Sequence, residues 1–354
     1  LRLTEDYATF DGIRNATVVL DFGRLMNARF GFRISTTGAV VDVGYAYRLE
    51  DGRVAPYVSH RTAIADQYTA RSGDQAWETA DWRHFRYVQL TFRDVPDEVA
   101  IEDVWAEEVS NHFQRRGDFR SSDPKLDRLF NVVRRTTELN VIDRTMDNPS
   151  RERKQYLGDC SGIVPAITSC FGDAAVLRRY FAQAREGQKP TGAYAHSYPG
   201  HSRQIPSLFD HSLSLPIRLH EHYQSFADRD LAAAMLPSIA RLMELAESCV
   251  DDDGMMQLPP DSIWFDWGHM DRRGHFLPLQ ALTAESMRCA ASLAEVLGES
   301  GGRWSRTAET LTANIPRWFD PDRDVFVDAI VDGERQTHFS EHALSLLAAF
   351  DLAR

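Results

Sequence analysis

Two hydrophobic periods divide the chain. Up to residue 115, short runs rich in Val, Tyr, Phe and Thr recur, among them Ala16–Phe22, Phe30–Ser35, Ala39–Tyr47, Phe85–Phe92 and Ala100–Val104. Val40, Asp42, Gly44 and Ala46 alternate with Val41, Val43, Tyr45 and Tyr47, the period of two expected of a strand with one buried face. Asp51-Gly52 separates two such runs, and glycine tolerates the positive φ of a tight hairpin turn. Short strands punctuated in this way predict a β-sandwich.

The period changes near residue 123. Asp123-Pro124 reads as an N-cap followed by a first-turn proline whose fixed φ suits a helix start. Leu126, Leu129, Phe130, Val133, Thr137 and Asn140 follow at helical spacing. Further amphipathic stretches begin near Gly158, Asp173, Ser207, Asp228, Pro278, Trp304 and Ser340. Leu279, Leu282, Ser286, Cys289, Leu293 and Val296 are spaced alternately by three and four, as are Trp304, Ala308, Leu311, Ile315 and Trp318. The pattern predicts about eight helices joined by alternately short and long loops, the long ones rich in Gly, Pro, His and aromatic residues. Helix pairs joined in this way are consistent with an α/α toroid, although periodicity alone does not separate a toroid from another helical array. No short internal repeat is visible, which disfavours a solenoid. The predicted domains are a β-sandwich over 1–115 and a helical domain over 116–354.

Composition narrows the partners. The 354 residues carry a formal net charge of −12 without a Lys/Arg cluster, which disfavours nucleic acid. No apolar run approaches the roughly eighteen residues of a membrane span. Cys160, Cys170, Cys249 and Cys289 lie in apolar helix-like stretches without CxxC spacing and read as structural thiols. They fit a reducing, cytoplasmic compartment without fixing one.

The segment richest in chemistry is Asp147-Asn-Pro-Ser-Arg-Glu-Arg-Lys-Gln-Tyr-Leu-Gly-Asp159. Pro149 breaks the helical pattern, so much of it should be loop. Asp147, Glu152 and Asp159 are concentrated there with Arg151 and Tyr156. Glycosidic cleavage needs one carboxylic acid still protonated near neutral pH and others to hold sugar hydroxyls. Crowded carboxylates favour this, because like charges raise the pKa of one member. A solvated charged loop would give the same composition.

This segment resembles the signature of the bacterial α-L-rhamnosidases, six-hairpin (α/α)6 glycosidases of glycoside hydrolase family 78. Asp147, Pro149, Arg151, Glu152, Arg153, Gly158 and Asp159 fall in register with it. The resemblance extends to Phe119–Asp127 at the entry to the first toroid helix, to Trp264-Phe-Asp-Trp-Gly268, and to Phe85–Val88 in the preceding β-domain. It implies a β-sandwich followed by an incomplete (α/α)6 toroid, and inverting removal of terminal α-L-rhamnose from glycosides or oligosaccharides without a cofactor. It implies Glu152 as the general acid, with Asp147, Asp159 and Asp266 binding substrate. Arg151 would orient the carboxylates, and Tyr156 and Trp267 would supply aromatic surface. Trp264 reads instead as a core aromatic.

Two departures qualify the resemblance. Lys154, Gln155 and Tyr156 stand where the family usually has a tryptophan, which leaves the sugar open. The family's water-activating glutamate has no match before Arg354, so that base is expected beyond the chain end, in keeping with a chain that stops inside a helix at Phe350–Arg354. A toroid glycosidase of other specificity and a catalytically silent carbohydrate-binding protein are the alternatives.

His196, His201, His211, His220 and His222 invite a metal reading, but His220 and His222 fall on different sides of a helix and no HExxH occurs. They read as loop and surface histidines, with His211, His269 and His275 as possible pocket residues. GxGxxG, P-loop and Gly-x-Ser-x-Gly patterns are absent.

Overall fold

The computed structural model describes residues 8–11, 15–55, 57–58, 62–95, 97–199 and 206–352. The chain divides into two compact units, Leu1–His112 with Asn131–Arg153, and Phe113–Phe130 with Lys154–Arg354.

The first unit is built on one antiparallel sheet of seven strands: β1 (Ala8–Asp11), β2 (Ala16–Thr36), β3 (Ala39–Ala46), β4 (Ala65–Ala70), β5 (Gly73–Glu78), β6 (Arg83–Arg93) and β7 (Glu98–Glu108). The order is β1-β7-β2-β6-β3-β4, with β5 also on β2. The long β2 curls the sheet by changing partners. It pairs with β6 as far as Ala28, and then with β5 from Gly31 and β7 from Ala28. Thr79 marks the corner, where its N–H donates to the Phe30 carbonyl at 2.9 Å and its hydroxyl accepts the Phe30 N–H at 3.1 Å. The expected sandwich is therefore one curled sheet folded over its own core of Phe30, Phe32, Val41, Val43, Tyr45, Phe85, Leu90 and Phe92. Val41, Val43 and Tyr45 are the buried set of the period-two pattern in β3. Gly31 is required by close approach, since a Cβ there would meet the Trp105 ring at 2.2 Å.

The helices are α1 (Pro124–Leu139), α2 (Leu157–Phe171), α3 (Ala174–Glu186), α4 (Phe209–Phe226), α5 (Arg229–Ser248), α6 (Leu277–Leu297), α7 (Gly302–Asn314) and α8 (Glu341–Ala349). The C-terminal half of α1 belongs to the β unit, where Asn27 Nδ2 donates to the Leu139 carbonyl at 2.8 Å and Arg135 pairs with Glu108 at 3.1 Å. Leu126, Leu129, Val132 and Val133 of α1 are exposed.

In the second unit, short turns join α2 to α3, α4 to α5 and α6 to α7, whereas long segments lead into α4, α6 and α8. Local chemistry accounts for the short turns. Asp173 accepts the Ala175 and Val176 N–H groups to cap α3, and Asp228 accepts that of Leu231 to cap α5. Gly172, Ala227 and Gly298 end the preceding helices in left-handed backbone. Helices α2, α4, α6 and α8 pack in succession, and the Leu277–Met287 part of α6 is buried on all sides. This is the expected helical-hairpin architecture. The last helix ends at Ala349 with Phe350 as its cap, so the chain leaves α8 before Arg354. Cys170, Cys249 and Cys289 are buried thiols.

Asp228 also joins two hairpins. Its carboxylate accepts Arg178 Nε at 2.6 Å and Nη2 at 2.7 Å, and it meets His222 Nε2 at 3.0 Å. Burial pushes the carboxyl upward, but Arg178, His222 and the Leu231 N–H outweigh it and hold the pKa below the usual 3.8. Stability from this shift is therefore full above the unfolded value and fades as pH falls through the lowered folded one. Asp228→Asn should lose roughly 1–3 kcal/mol at pH 7. The gap to wild type in denaturant titrations should narrow below about pH 4, and a gap that widens in acid would contradict the assignment.

Candidate active site

The signature segment divides between the units after Arg153. In the β unit, Asn148 organises a tight turn. Its Oδ1 accepts the Ser150 N–H at 3.2 Å and the Arg151 N–H at 2.7 Å, and its Nδ2 donates to Asp147. Glu152 pairs with the Arg151 guanidinium, and the two side chains are 24% and 28% exposed, so this acid is within reach of solvent. Arg153 fastens the end of the turn. It adopts a left-handed φ of 52°, donates to the Pro149 carbonyl at 3.1 Å, to Asp81 at 2.7 Å and to the Trp82 carbonyl at 2.8 Å, and stacks 3.6 Å from the Trp82 ring centroid.

In the helical unit, Tyr156 is the N-cap residue of α2 and stacks on His196 with ring centroids 5.2 Å apart. Asp159 follows in the first turn. It lines a cavity of about 620 Å³ together with Asp210, His211, Trp264, Asp266, Glu341 and His342, over an apolar side that includes Ile217, Leu282 and Leu346. Asp159, Asp210 and Glu341 are first-turn residues of α2, α4 and α8, where the positive helix end favours a carboxylate. Burial holds the His211 pKa below its usual value despite the opposing charges of Asp210, Asp159 and Asp266.

Trp264, Phe265 and Asp266 line the cavity, whereas Trp267 and Gly268 do not. Asp210 accepts the backbone N–H groups of Trp264 and Phe265, each at 2.9 Å. Phe265 and Asp266 then take left-handed φ values of 45° and 68°, a conformation costing roughly 1–3 kcal/mol at each non-glycine residue. Trp264, expected in the core, lines the cavity because this turn carries it there. Trp267 is 81% exposed and stands edge-on to the Trp264 ring at 4.5 Å. Asp147, Arg151, Glu152 and Tyr156 are not among the residues lining this cavity.

The sequence singled out Asp159 and Asp266 and left His211 open, but it missed Asp210, Glu341 and His342. An acid in the first turn of a helix is a weak signal that Asp210 and Glu341 share, and His342 has none. His269 and His275 do not line the cavity; His275 Nδ1 is 3.1 Å from the Met256 carbonyl. His220 Nε2 is 3.1 Å from Ser292 Oγ, and His201 lies outside the described residues. Among the described residues no His, Cys, Asp or Glu group could hold a metal ion. A concave wall of carboxylates, imidazoles and an indole face suits a neutral polyhydroxylated ligand, with acceptors for hydroxyls and an aromatic surface for C–H groups.

A curled β domain is followed by helical hairpins that carry a carboxylate-lined cavity at the helix starts. Residues 114–352 match the bacterial alpha-L-rhamnosidase 6 hairpin glycosidase domain, and residues 12–110 match the bacterial alpha-L-rhamnosidase concanavalin-like domain. The chain belongs to this bacterial α-L-rhamnosidase family. Among solved structures it is similar to the family 78 rhamnosidase of Bacillus sp. GL1, with a TM-score of 0.90 and 20% identity over 100% of this chain and 37% of that one. It is also similar to a Klebsiella oxytoca rhamnosidase with rhamnose bound, with a TM-score of 0.81 and 18% identity over 96% and 68% of the two chains. A Streptomyces avermitilis α-L-rhamnosidase complexed with L-rhamnose gives a TM-score of 0.71 and 21% identity over 98% and 34%. The chain thus spans little more than a third of the Bacillus and Streptomyces proteins. No curated protein matches the sequence.

Gly158 gives the cavity wall its clearance, since a Cβ there would lie 2.4 Å from His211 Nε2. Alanine in a helix interior usually gains about 0.5–1 kcal/mol over glycine. Here Gly158→Ala should instead lower the melting temperature and displace the His211 ring in NMR spectra. A raised melting temperature with an unmoved ring would show that the wall is slack.

Proposed function

We propose that the full-length protein is an inverting glycoside hydrolase that removes terminal α-L-rhamnose from glycosides or oligosaccharides. The observation that carries the reading is the cavity in which Asp159 and Asp266 accompany the Trp264 indole, in a chain of the rhamnosidase family. Its apolar side suits the methyl group of a 6-deoxy sugar. The domain boundary in this reading falls at 115/116.

In the proposed mechanism Glu152 donates its proton to the glycosidic oxygen as the bond to the anomeric carbon breaks, and water attacks that carbon from the opposite face. Arg151, paired with Glu152, sets the direction of the carboxyl group. Asp147, Asp159 and Asp266 accept hydrogen bonds from sugar hydroxyls, and Tyr156 and Trp267 offer aromatic surface. Inversion also requires a carboxylate that deprotonates the attacking water. A toroid glycosidase of another specificity is the second reading, favoured by the stacking of Tyr156 on His196 where the family usually has a tryptophan.

Glu152→Gln in the full-length protein tests the acid. The amide keeps size but delivers no proton, so turnover of rhamnosides with poor leaving groups should fall roughly 10²–10⁴-fold. An activated aryl rhamnoside should suffer less, and the basic limb of the pH–rate profile should vanish while L-rhamnose still binds. Unchanged rates on both kinds of substrate would remove Glu152 from the mechanism, and activity confined to other glycosides would favour the second reading.

A further inference from the structure

Asp210 is 5% exposed, and its two oxygens have separate tasks. Oδ1 accepts the Trp264 N–H and Oδ2 the Phe265 N–H, both at 2.9 Å. Beside them the Phe209 N–H donates to the Ser262 carbonyl at 2.8 Å, so the start of α4 is stitched to the 262–265 segment at three points. The left-handed residues Phe265 and Asp266 follow directly. Such backbone persists only where its surroundings over-determine it. An ionised carboxylate suits this task because both oxygens accept and neither donates, and its bonds to N–H groups are charge-assisted. An asparagine in the same place would turn an NH2 toward one of the two N–H groups.

We propose that Asp210 is a positioning residue, which holds the Phe265–Asp266 turn so that the Asp266 carboxylate lines the cavity. This rests on reading that cavity as the sugar site, and it adds a residue that acts through Asp266 rather than on the sugar. If Asp210 bound sugar itself, its loss and that of Asp266 would be independent.

The test is a double-mutant cycle of Asp210→Asn and Asp266→Asn in the full-length protein, with L-rhamnose affinity measured by calorimetry and backbone exchange by NMR or mass spectrometry. Asp210→Asn should weaken L-rhamnose binding about tenfold alone and less than about twofold in the Asp266→Asn background. It should also speed amide exchange at Trp264 and Phe265 while circular dichroism stays native. Should Asp210→Asn fail to fold, Asp210→Glu keeps the charge and both acceptors and carries the same cycle. Additive losses, or unchanged exchange at the two amides, would overturn the positioning role. Exchange is read without sugar, so a wild-type protein that neither binds L-rhamnose nor cleaves rhamnosides would overturn the functional reading separately.

Discussion

Around Leu277–Met287 the sequence offers buried positions on every face of the helix, so packing neighbours must cover it on all sides, and the arrangement of the helical unit follows from that demand. Helices α4, α5, α7 and α8 supply the cover. Gln280 accepts the Met256 N–H at 2.7 Å and donates to the Leu311 carbonyl at 2.8 Å, while Glu285 pairs with Arg288. With α6 enclosed, α4 and α8 flank it and start on the side where the long segments arrive. The carboxylates in their first turns thereby reach the cavity against the positive ends of the helices.

Features governed by near neighbours were the most legible in the sequence. Asp173, Asp228 and Ser340 announced three helix starts, and each is a cap whose side chain accepts a backbone N–H. Val41, Val43 and Tyr45 gave the inner face of a strand. The partner change of β2 was not legible, because it depends on pairing between residues far apart in the chain. In α1 the spacing announced the helix, and period reports that a face is apolar without naming the element that covers it.

At the candidate site the sequence reached what a local motif could carry. Asp159 and Asp266 were named and both line the cavity, whereas Asp210, buried in the first turn of its helix, had no motif to reveal it. The roles of Trp264 and Trp267 turned on two left-handed residues between them, neither of which is a glycine that would have marked the bend. A buried acceptor elsewhere in the chain can impose a backbone conformation that its own sequence does not advertise.

The Arg153 guanidinium is held by Asp81 and Trp82, both contributed by the corner between β5 and β6. The residue next to Glu152 is thus fastened to the β unit by a carboxylate, a carbonyl and an indole face together. Because Asn131–Arg153 fold with the β unit, a cut of the chain near residue 116 would part this guanidinium from the cradle that holds it.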